Sequence, residues 1–218
     1  MNTTHKIKAP TGFVPREWSI RKLGELAHIS YGISDALEKG LKGGVRIVAM
    51  PNVTKVGDFD WSTVYFVEPA KVTDKVRLLP GDILFNWRNG SKDHLGKSAL
   101  FDKQGVFSHV GFLLKIRAGK HLVPAYLDAF LKQAKINGYF LTAKQQVNNT
   151  FNKEELSTVP IAYPSIPEQR KIAEILRTWD EAIEACERLR FKKIEQATWF
   201  RTDLAFQVIG ASSLWLPF

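Results

Sequence analysis

The sequence contains little cysteine, no long apolar run and, between residues 168 and 208, neither glycine nor proline. The single cysteine, Cys186, excludes an internal disulfide and favours a reducing compartment. No run of 18 apolar residues is present, which argues against a membrane span. The first ten residues also lack the apolar stretch of a secretory signal. These absences predict a cytoplasmic protein that makes no membrane contact.

Motifs for metal, nucleotide and cofactor binding are missing as well. There is no cysteine pair, no His-x-x-x-His spacing and no Gly-x-Gly-x-x-Gly loop. Residues 90–98 resemble a phosphate-binding loop, but five residues separate Gly90 from Gly96, where that motif needs four. Asp82, Asp93 and Asp102 fit surface turns better than an acidic nuclease cluster. We therefore expect no catalytic residue, no metal and no cofactor.

The positive charge is confined to one part of the chain. The net charge is +9, and residues 1–167 hold 23 Lys+Arg against 14 Asp+Glu, whereas residues 168–218 hold 8 of each. A basic excess of this kind suits a polyanionic partner such as nucleic acid. The alternative interpretation is that the basic excess only keeps the protein soluble and binds no acidic partner.

Residues 1–167 show the pattern of a mixed α/β unit of the α+β type, rich in short strands. Pro124–Ile136 carries apolar residues at helical spacing, with proline in the first turn. Asn152, with Glu155 three residues later, indicates a helix N-cap. Without β-α-β alternation, a doubly wound sheet is not expected. Strands are predicted at 45–50, 63–67, 83–85, 97–101 and 110–116.

Residues 168–208 are predicted to form one long helix that pairs with another helix. Apolar residues recur in steps of four and three, which is the spacing of a coiled-coil seam. At about 1.5 Å per residue the helix would be roughly 60 Å long, more than a domain of this size can cover. A surface helix folded back on its own domain is the alternative. The predicted seam is Ile172, Leu176, Trp179, Ile183, Cys186, Ile194, Ala197 and Leu204.

The predicted organisation is therefore a recognition domain over 1–167, a pairing helix over 168–208 and a tail over 209–218. Within the first part, two polar loops carry side chains suited to DNA. Residues 86–92 combine asparagine, arginine and lysine, and residues 144–150 are rich in amides. Arginine can fork onto guanine, amides onto adenine, and lysine and serine onto phosphate.

Ordinary polar loops would look similar, so that interpretation stays open beside the DNA-binding one. Trp18, Trp61 and Trp87 suit either base stacking or the core. The candidate DNA-binding residues are Tyr31, Gly32, Ser34, Arg46, Asn86, Arg88, Asn89, Ser91, Lys92, Lys97, Lys144, Gln145, Gln146, Asn148 and Asn149.

Several segments of the sequence, taken together with their order along the chain, resemble one target-recognition half of the DNA specificity subunit of type I restriction-modification systems. The resemblance covers about residues 14–200. Its most specific part consists of Val159–Pro164, Ile166–Ala173 and Asp180–Ile183. The other segments are Val14–Leu26, Leu79–Phe85 followed by Gly96–Ala99, and Val123–Leu127.

The resemblance implies a non-catalytic subunit that reads one half of a bipartite double-stranded DNA target. It further implies that a methyltransferase subunit docks on it and that a restriction subunit joins through that partner. Since only one half is present, homodimerisation through 168–208 would restore two recognition domains and read an inverted repeat. Residues 211–218 do not resemble the family's continuation and suggest a truncated or frameshifted end. The alternative function is a helix-paired scaffold or regulatory dimer that binds an acidic protein, or nucleic acid without sequence specificity.

Overall fold

The computed structural model describes residues 6–34, 37, 39–88, 94–142 and 150–212, with side chains up to Arg201. The helices are α1 (Leu23–Leu26), α2 (Pro124–Ile136), α3 (Tyr139–Thr142), α4 (Lys153–Ser157) and α5 (Ile166–Ser212). The strands are β1 (Lys6–Ala9), β2 (Gly12–Pro15), β3 (Ser19–Lys22), β4 (Ala27–Tyr31), β5 (Val45–Val48), β6 (Tyr65–Val67), β7 (Asp82–Asn86), β8 (Ser98–Leu100), β9 (Phe107–His109), β10 (Leu113–Ala118) and β11 (Pro160–Tyr163). The predicted α+β fold, a β-rich part followed by one long helix, is confirmed.

A four-stranded antiparallel sheet, in the order β4-β10-β7-β8, separates two apolar cores. Successive side chains of a strand point to opposite faces. Ile83 and Phe85 of β7 therefore enter one core while Leu84 enters the other. Burial of both faces explains why the three central residues of this strand, Ile83 to Phe85, are all apolar rather than alternating with polar ones.

The first core lies between this sheet and α2. The predicted helix bounds match the structure, and Leu127, Phe130, Leu131 and Ala134 form the buried face of α2. On the same face, the Tyr126 hydroxyl donates a hydrogen bond of 2.7 Å to the Ala162 carbonyl of β11. This bond satisfies the hydroxyl inside an apolar core and fixes α2 against the strand that precedes α5.

The second core packs the opposite face of the central sheet against a three-stranded sheet, β6-β5-β9. In that sheet β5 is antiparallel to β6 and parallel to β9. Ile47 and Val48 of β5 are fully covered, together with Phe101 and Phe107. The rings of Phe101 and Phe107 meet edge to face at 5.2 Å.

Two local predictions need correction. Asp82 was expected at the surface, but it is buried and receives a bidentate pair of 2.7 Å hydrogen bonds from Arg117. The pairing removes the cost of burying a lone charge. The strand expected over 110–116 starts at Leu113, because Val110–Leu113 forms a tight turn closed by a 3.0 Å backbone hydrogen bond. Asp93 lies outside the described residues.

Helix α5 begins two residues before the predicted bound and continues through Gly210 to Ser212. The buried Gln169 side chain holds its first turn. Its amide nitrogen donates to the carbonyls of His121 (3.0 Å) and Pro164 (2.9 Å), and its oxygen accepts from the Val123 N–H at 2.8 Å. These bonds join α5 to the segment that opens α2.

The chain forms two units, one ending at Ala173 and the other starting at Glu174. The three-part division over 1–167, 168–208 and 209–218 stays a prediction. Among the residues that the structure describes, no helix has the length and apolarity to cross a bilayer.

Replacing Gln169 with alanine should destabilise the first unit strongly. The change removes three hydrogen bonds and leaves one N–H and two carbonyls, of which that of Pro164 is buried, without these partners, at a cost of roughly 2–4 kcal/mol in the free energy of unfolding. Urea denaturation followed by circular dichroism measures this loss. The matched control is Gln133→Ala, because Gln133 is exposed on α2 and bonds only Asn137. Equal stability of the two variants would contradict the prediction.

Acidification should destabilise the fold through His109. This residue is buried, and its ring has no hydrogen-bond partner among the residues that the structure describes; burial, together with the charge of Lys115, lowers its pKa from 6.5 to about 3. Between pH 6.5 and about pH 3, His109 is protonated in the unfolded chain but not in the folded chain, so stability falls as pH decreases. The loss from pH 6.5 to pH 5 should be roughly 1.5 kcal/mol.

Urea denaturation at several pH values in this range tests the effect in wild type and in His109→Phe, with His109→Leu as a second replacement. In the variants, the change of the unfolding free energy with pH comes from the other titrating groups. The difference between this change and that of wild type is therefore the contribution of His109. Parallel pH curves for wild type and variants would contradict the assignment.

Candidate nucleic-acid interface

Three chain segments meet at one end of the central sheet. Strands β4 and β7 end there and β10 begins there, because Leu114 pairs with Tyr31 and Leu113 pairs with Asn86. The segments that follow β4 and β7 and the turn that precedes β10 are therefore neighbours. We call this region the sheet-end surface and define it by Tyr31, Arg88, Phe112 and Thr150.

The described flanks of the two predicted polar loops meet at this surface. Arg88 forms an isolated antiparallel bridge with Thr150, and the Phe151 N–H donates a 2.7 Å hydrogen bond to the Trp87 carbonyl. The flanks of both loops thus lie side by side although more than 60 residues separate them in sequence. Outside the described residues lie Asn89, Ser91, Lys92, Lys144, Gln145, Gln146, Asn148 and Asn149.

Tyr31 connects β4 to both flanks. Its ring meets Trp87 edge to face at 5.4 Å, and its hydroxyl oxygen accepts a 3.2 Å hydrogen bond from the Lys153 N–H at the start of α4. The side chain is nevertheless 37% exposed. Tyr31 therefore orders the surface and still presents part of its ring to solvent.

Gly32 is required by a close approach of two backbones. A Cβ at this position would lie 2.2 Å from the His109 carbonyl oxygen, and the next residue, Ile33, donates a 2.8 Å hydrogen bond to that oxygen. Packing alone explains this glycine, so we omit it from the proposed contacts. Ser34, two residues further, is exposed.

Arg88 is exposed, and its guanidinium carbon lies 6.0 Å from the centre of the Phe112 ring. No carboxylate pairs with Arg88 among the described residues. Phe112 is not among the residues predicted to contact DNA, because it falls inside a strand predicted over 110–116. The preceding Gly111 was the available signal, since glycine within an apolar strand pattern often marks a bulge or turn.

Asn86 and Lys97 lie inside the protein, so we withdraw both from the proposed contacts. The Lys97 ammonium donates a 2.5 Å hydrogen bond to the Val53 carbonyl, and burial, with smaller contributions from Lys135 and Lys55, lowers its pKa. The Asn86 amide is fully buried, with neither of its polar atoms paired in the described structure. Asn86 is the last residue of β7, and Lys97 directly precedes β8.

Arg46 is exposed on β5, in the three-stranded sheet, with its guanidinium carbon 5.9 Å from the Phe107 ring. The described structure shows no contact between Arg46 and the sheet-end surface. Its role in DNA binding stays a separate prediction.

The tryptophans left open by the sequence all pack within the protein. The Trp87 indole N–H donates to the Gly111 carbonyl at 2.7 Å. Trp18 meets Tyr126 edge to face, and Trp61 stacks on Phe59. All three are partly covered, which favours structural roles over base stacking.

The predicted seam of α5 is largely exposed in the single chain. Trp179 is 66% exposed and Ile183 is 54% exposed, whereas Ile172 packs partly against the first core. Ion pairs with i,i+4 spacing, Arg177–Glu181 and Glu184–Arg188, occupy other positions of the helix. Leu176 and Ile194 are exposed as well, as are Cys186 and Ala197, and the Leu204 side chain is outside the described set.

Metal chemistry receives no support from the described residues, since they contain no group of three His, Cys, Asp or Glu side chains placed to hold an ion. The sheet-end surface contains an arginine, an exposed aromatic ring and hydroxyl groups, and these side chains are suited to binding a ligand.

The type I restriction modification DNA specificity domain model matches residues 15–196. The candidate MjaX specificity subunit of a type I restriction enzyme from Methanocaldococcus jannaschii is 31% identical over 182 residues, covering 81% of this chain and 42% of that protein. The fold is similar to a chain solved in work on complex assembly and conformational transition of the type I R-M system, with a TM-score of 0.64, 18% identity and coverage of 83% and 42%.

A second solved structure, the HsdS subunit from Thermoanaerobacter tengcongensis, has a TM-score of 0.59, 18% identity and coverage of 80% and 40%. The chain spans about two fifths of the length of the relatives that it matches. At these identities the two solved structures show the fold alone.

Proposed function

Because this chain belongs to the type I restriction modification DNA specificity domain family, we propose that its sheet-end surface reads one half of a bipartite duplex target. The convergence of the flanks of the two polar loops beside exposed Arg88 carries the proposal. The family description agrees with the prediction of a recognition protein rather than an enzyme. Discrimination between bases then depends on a small set of side chains, of which Arg88 is the one suited to a bidentate contact with guanine.

The basic excess of residues 1–167 supplies the affinity that is independent of sequence. Lysine and arginine side chains near phosphates release counterions when DNA binds, which makes affinity fall as salt rises. Lys97 and Lys115 are buried and donate to backbone carbonyls, so they do not contribute to this surface charge. The exposed cations remain as the phosphate contacts.

We further propose that two copies pair through the seam of α5, so that two recognition domains read an inverted repeat. The exposed apolar side chains of the seam and its heptad spacing support pairing with a second helix. Leu189 and Phe191 lie outside the seam and are also exposed. They provide apolar surface on which a methyltransferase subunit can dock, with a restriction subunit joining through it.

Selection from a pool of duplexes with randomised positions tests sequence recognition by the full chain. We expect an enriched bipartite sequence that binds at least about a hundredfold more tightly than its scrambled version, with affinity falling as salt rises. Arg88→Ala should relax one position of each half-site. The matched control is Arg21→Ala, an exposed arginine on β3, outside the central sheet. Equal binding of all duplexes would favour the scaffold alternative and contradict the proposal.

Ile183→Asp should convert a dimer to a monomer. The carboxylate would be buried in an apolar seam, while the first unit, which ends at Ala173, keeps its own core. Light scattering should give half the mass, and affinity for the bipartite duplex should fall at least about tenfold because avidity is lost.

Thr178→Asp, exposed and off the seam of the same helix, is the control and should stay dimeric. Circular dichroism checks that the variant remains folded. A wild-type chain that is monomeric at tens of micromolar would contradict pairing through α5.

A further inference from the structure

Phe112 occupies the tip of a turn that is fixed from two sides. The turn Val110–Leu113 is closed by a 3.0 Å hydrogen bond from the Leu113 N–H to the Val110 carbonyl. Within the turn, the Gly111 N–H donates a hydrogen bond to the Ile33 carbonyl at 2.6 Å, and the Gly111 carbonyl accepts one from the Trp87 indole N–H at 2.7 Å. The turn is thereby attached to the segment after β4 and to the segment after β7.

Steric contacts keep the turn in this position. A Cβ on Gly111 would lie 2.7 Å from the Ser34 hydroxyl oxygen, so the turn packs closely against its neighbour. The Val110 N–H donates to the Val48 carbonyl at 3.0 Å, and Leu113 is fully buried in the second core. Phe112, between two anchored residues, is nevertheless 45% exposed.

An exposed phenylalanine alone carries no functional meaning, but this ring lies beside the guanidinium of Arg88 at 6.0 Å. A ring face attracts a guanidinium without using its N–H donors. A carboxylate in the same place would neutralise the charge and occupy the donors. The ring therefore restricts Arg88 and leaves its donors available for a base edge.

We propose that Phe112 is a positioning residue for Arg88, which makes Phe112 a determinant of the base pair that Arg88 reads. This inference rests on the proposed function, since it needs a DNA sequence that Arg88 discriminates. Holding the guanidinium in place before DNA arrives reduces the entropy lost on forming a bidentate contact. The ring itself need not touch DNA for this effect.

The experiment measures affinity for the selected duplex and for duplexes changed at single positions, using Phe112→Leu, Phe112→Tyr, Arg88→Ala and the double variant. Leucine keeps the apolar bulk and removes the ring, whereas tyrosine keeps the ring. Phe112→Leu should lower discrimination about three- to tenfold at the position that Arg88→Ala relaxes, and at no other position. Phe112→Tyr should stay within about twofold of wild type. The double variant should discriminate no worse than Arg88→Ala alone, because the two residues act as one unit.

The outcomes separate this inference from the proposed function. A wild-type chain without sequence preference overturns both. A wild-type preference that Phe112→Leu leaves unchanged, or a uniform loss of affinity for all duplexes, overturns the positioning role alone. The positioning role is also overturned if Arg88→Ala weakens binding to all sequences equally. Melting temperatures of all variants within a few degrees of wild type show that the fold is intact, and Phe112→Tyr keeps the test decisive if Phe112→Leu unfolds.

Discussion

The structure depends on one buried amide, the side chain of Gln169. An amide has two donor hydrogens and an acceptor oxygen, and here each group has a backbone partner: two carbonyls and one N–H. These partners belong to the segment before α2 and to the connection that leads from β11 into α5. The same α2 packs on the central sheet and hydrogen bonds β11 through Tyr126. The start of α5 is thus bonded to the segments around α2 and β11, and α2 packs on the central sheet.

Burial of both faces of the central sheet keeps most of its side chains away from solvent. In β7 and β10 even the polar Asn86 and Lys115 are buried. At the described strand ends, Tyr31 and Arg88 are exposed. Since β4, β7 and β10 share one such end, residues distant in sequence become one surface. The interactions that order it join residues distant in sequence: the Tyr31–Trp87 ring pair, the Trp87–Gly111 hydrogen bond and the bridge between Arg88 and Thr150.

Features governed by neighbouring residues were predictable from the sequence. The bounds of α2 and the Asn152–Glu155 capping box follow from helical spacing and from cap chemistry, and both match the structure. Features governed by distant contacts were not. Lys97 and Arg88 are both basic residues of one polar stretch, and only the approach of Val53, 44 residues away, places one inside while the other stays exposed. Asp82 likewise had the context of a turn, and its burial depends on Arg117, 35 residues away. Phe112 was missed because a strand pattern and a turn look alike until the partners of Gly111 are known.

Exposed cations in the first unit repeatedly pair with rings. Lys39 lies 5.7 Å from the Tyr65 ring, Arg46 lies 5.9 Å from Phe107 and Arg88 lies 6.0 Å from Phe112. Arg117 is the contrasting case, since its guanidinium is held by the buried carboxylate of Asp82 and its role is structural. A carboxylate partner satisfies the donors and cancels the charge, whereas a ring orders the cation and leaves both available. Under the proposed function, which needs both attraction to phosphates and discrimination between bases, the second arrangement preserves the long-range attraction and limits the motion of the group that makes the contact. On the same proposal, the net charge sets how strongly any DNA is held, and the ring beside Arg88 sets how selectively it is bound.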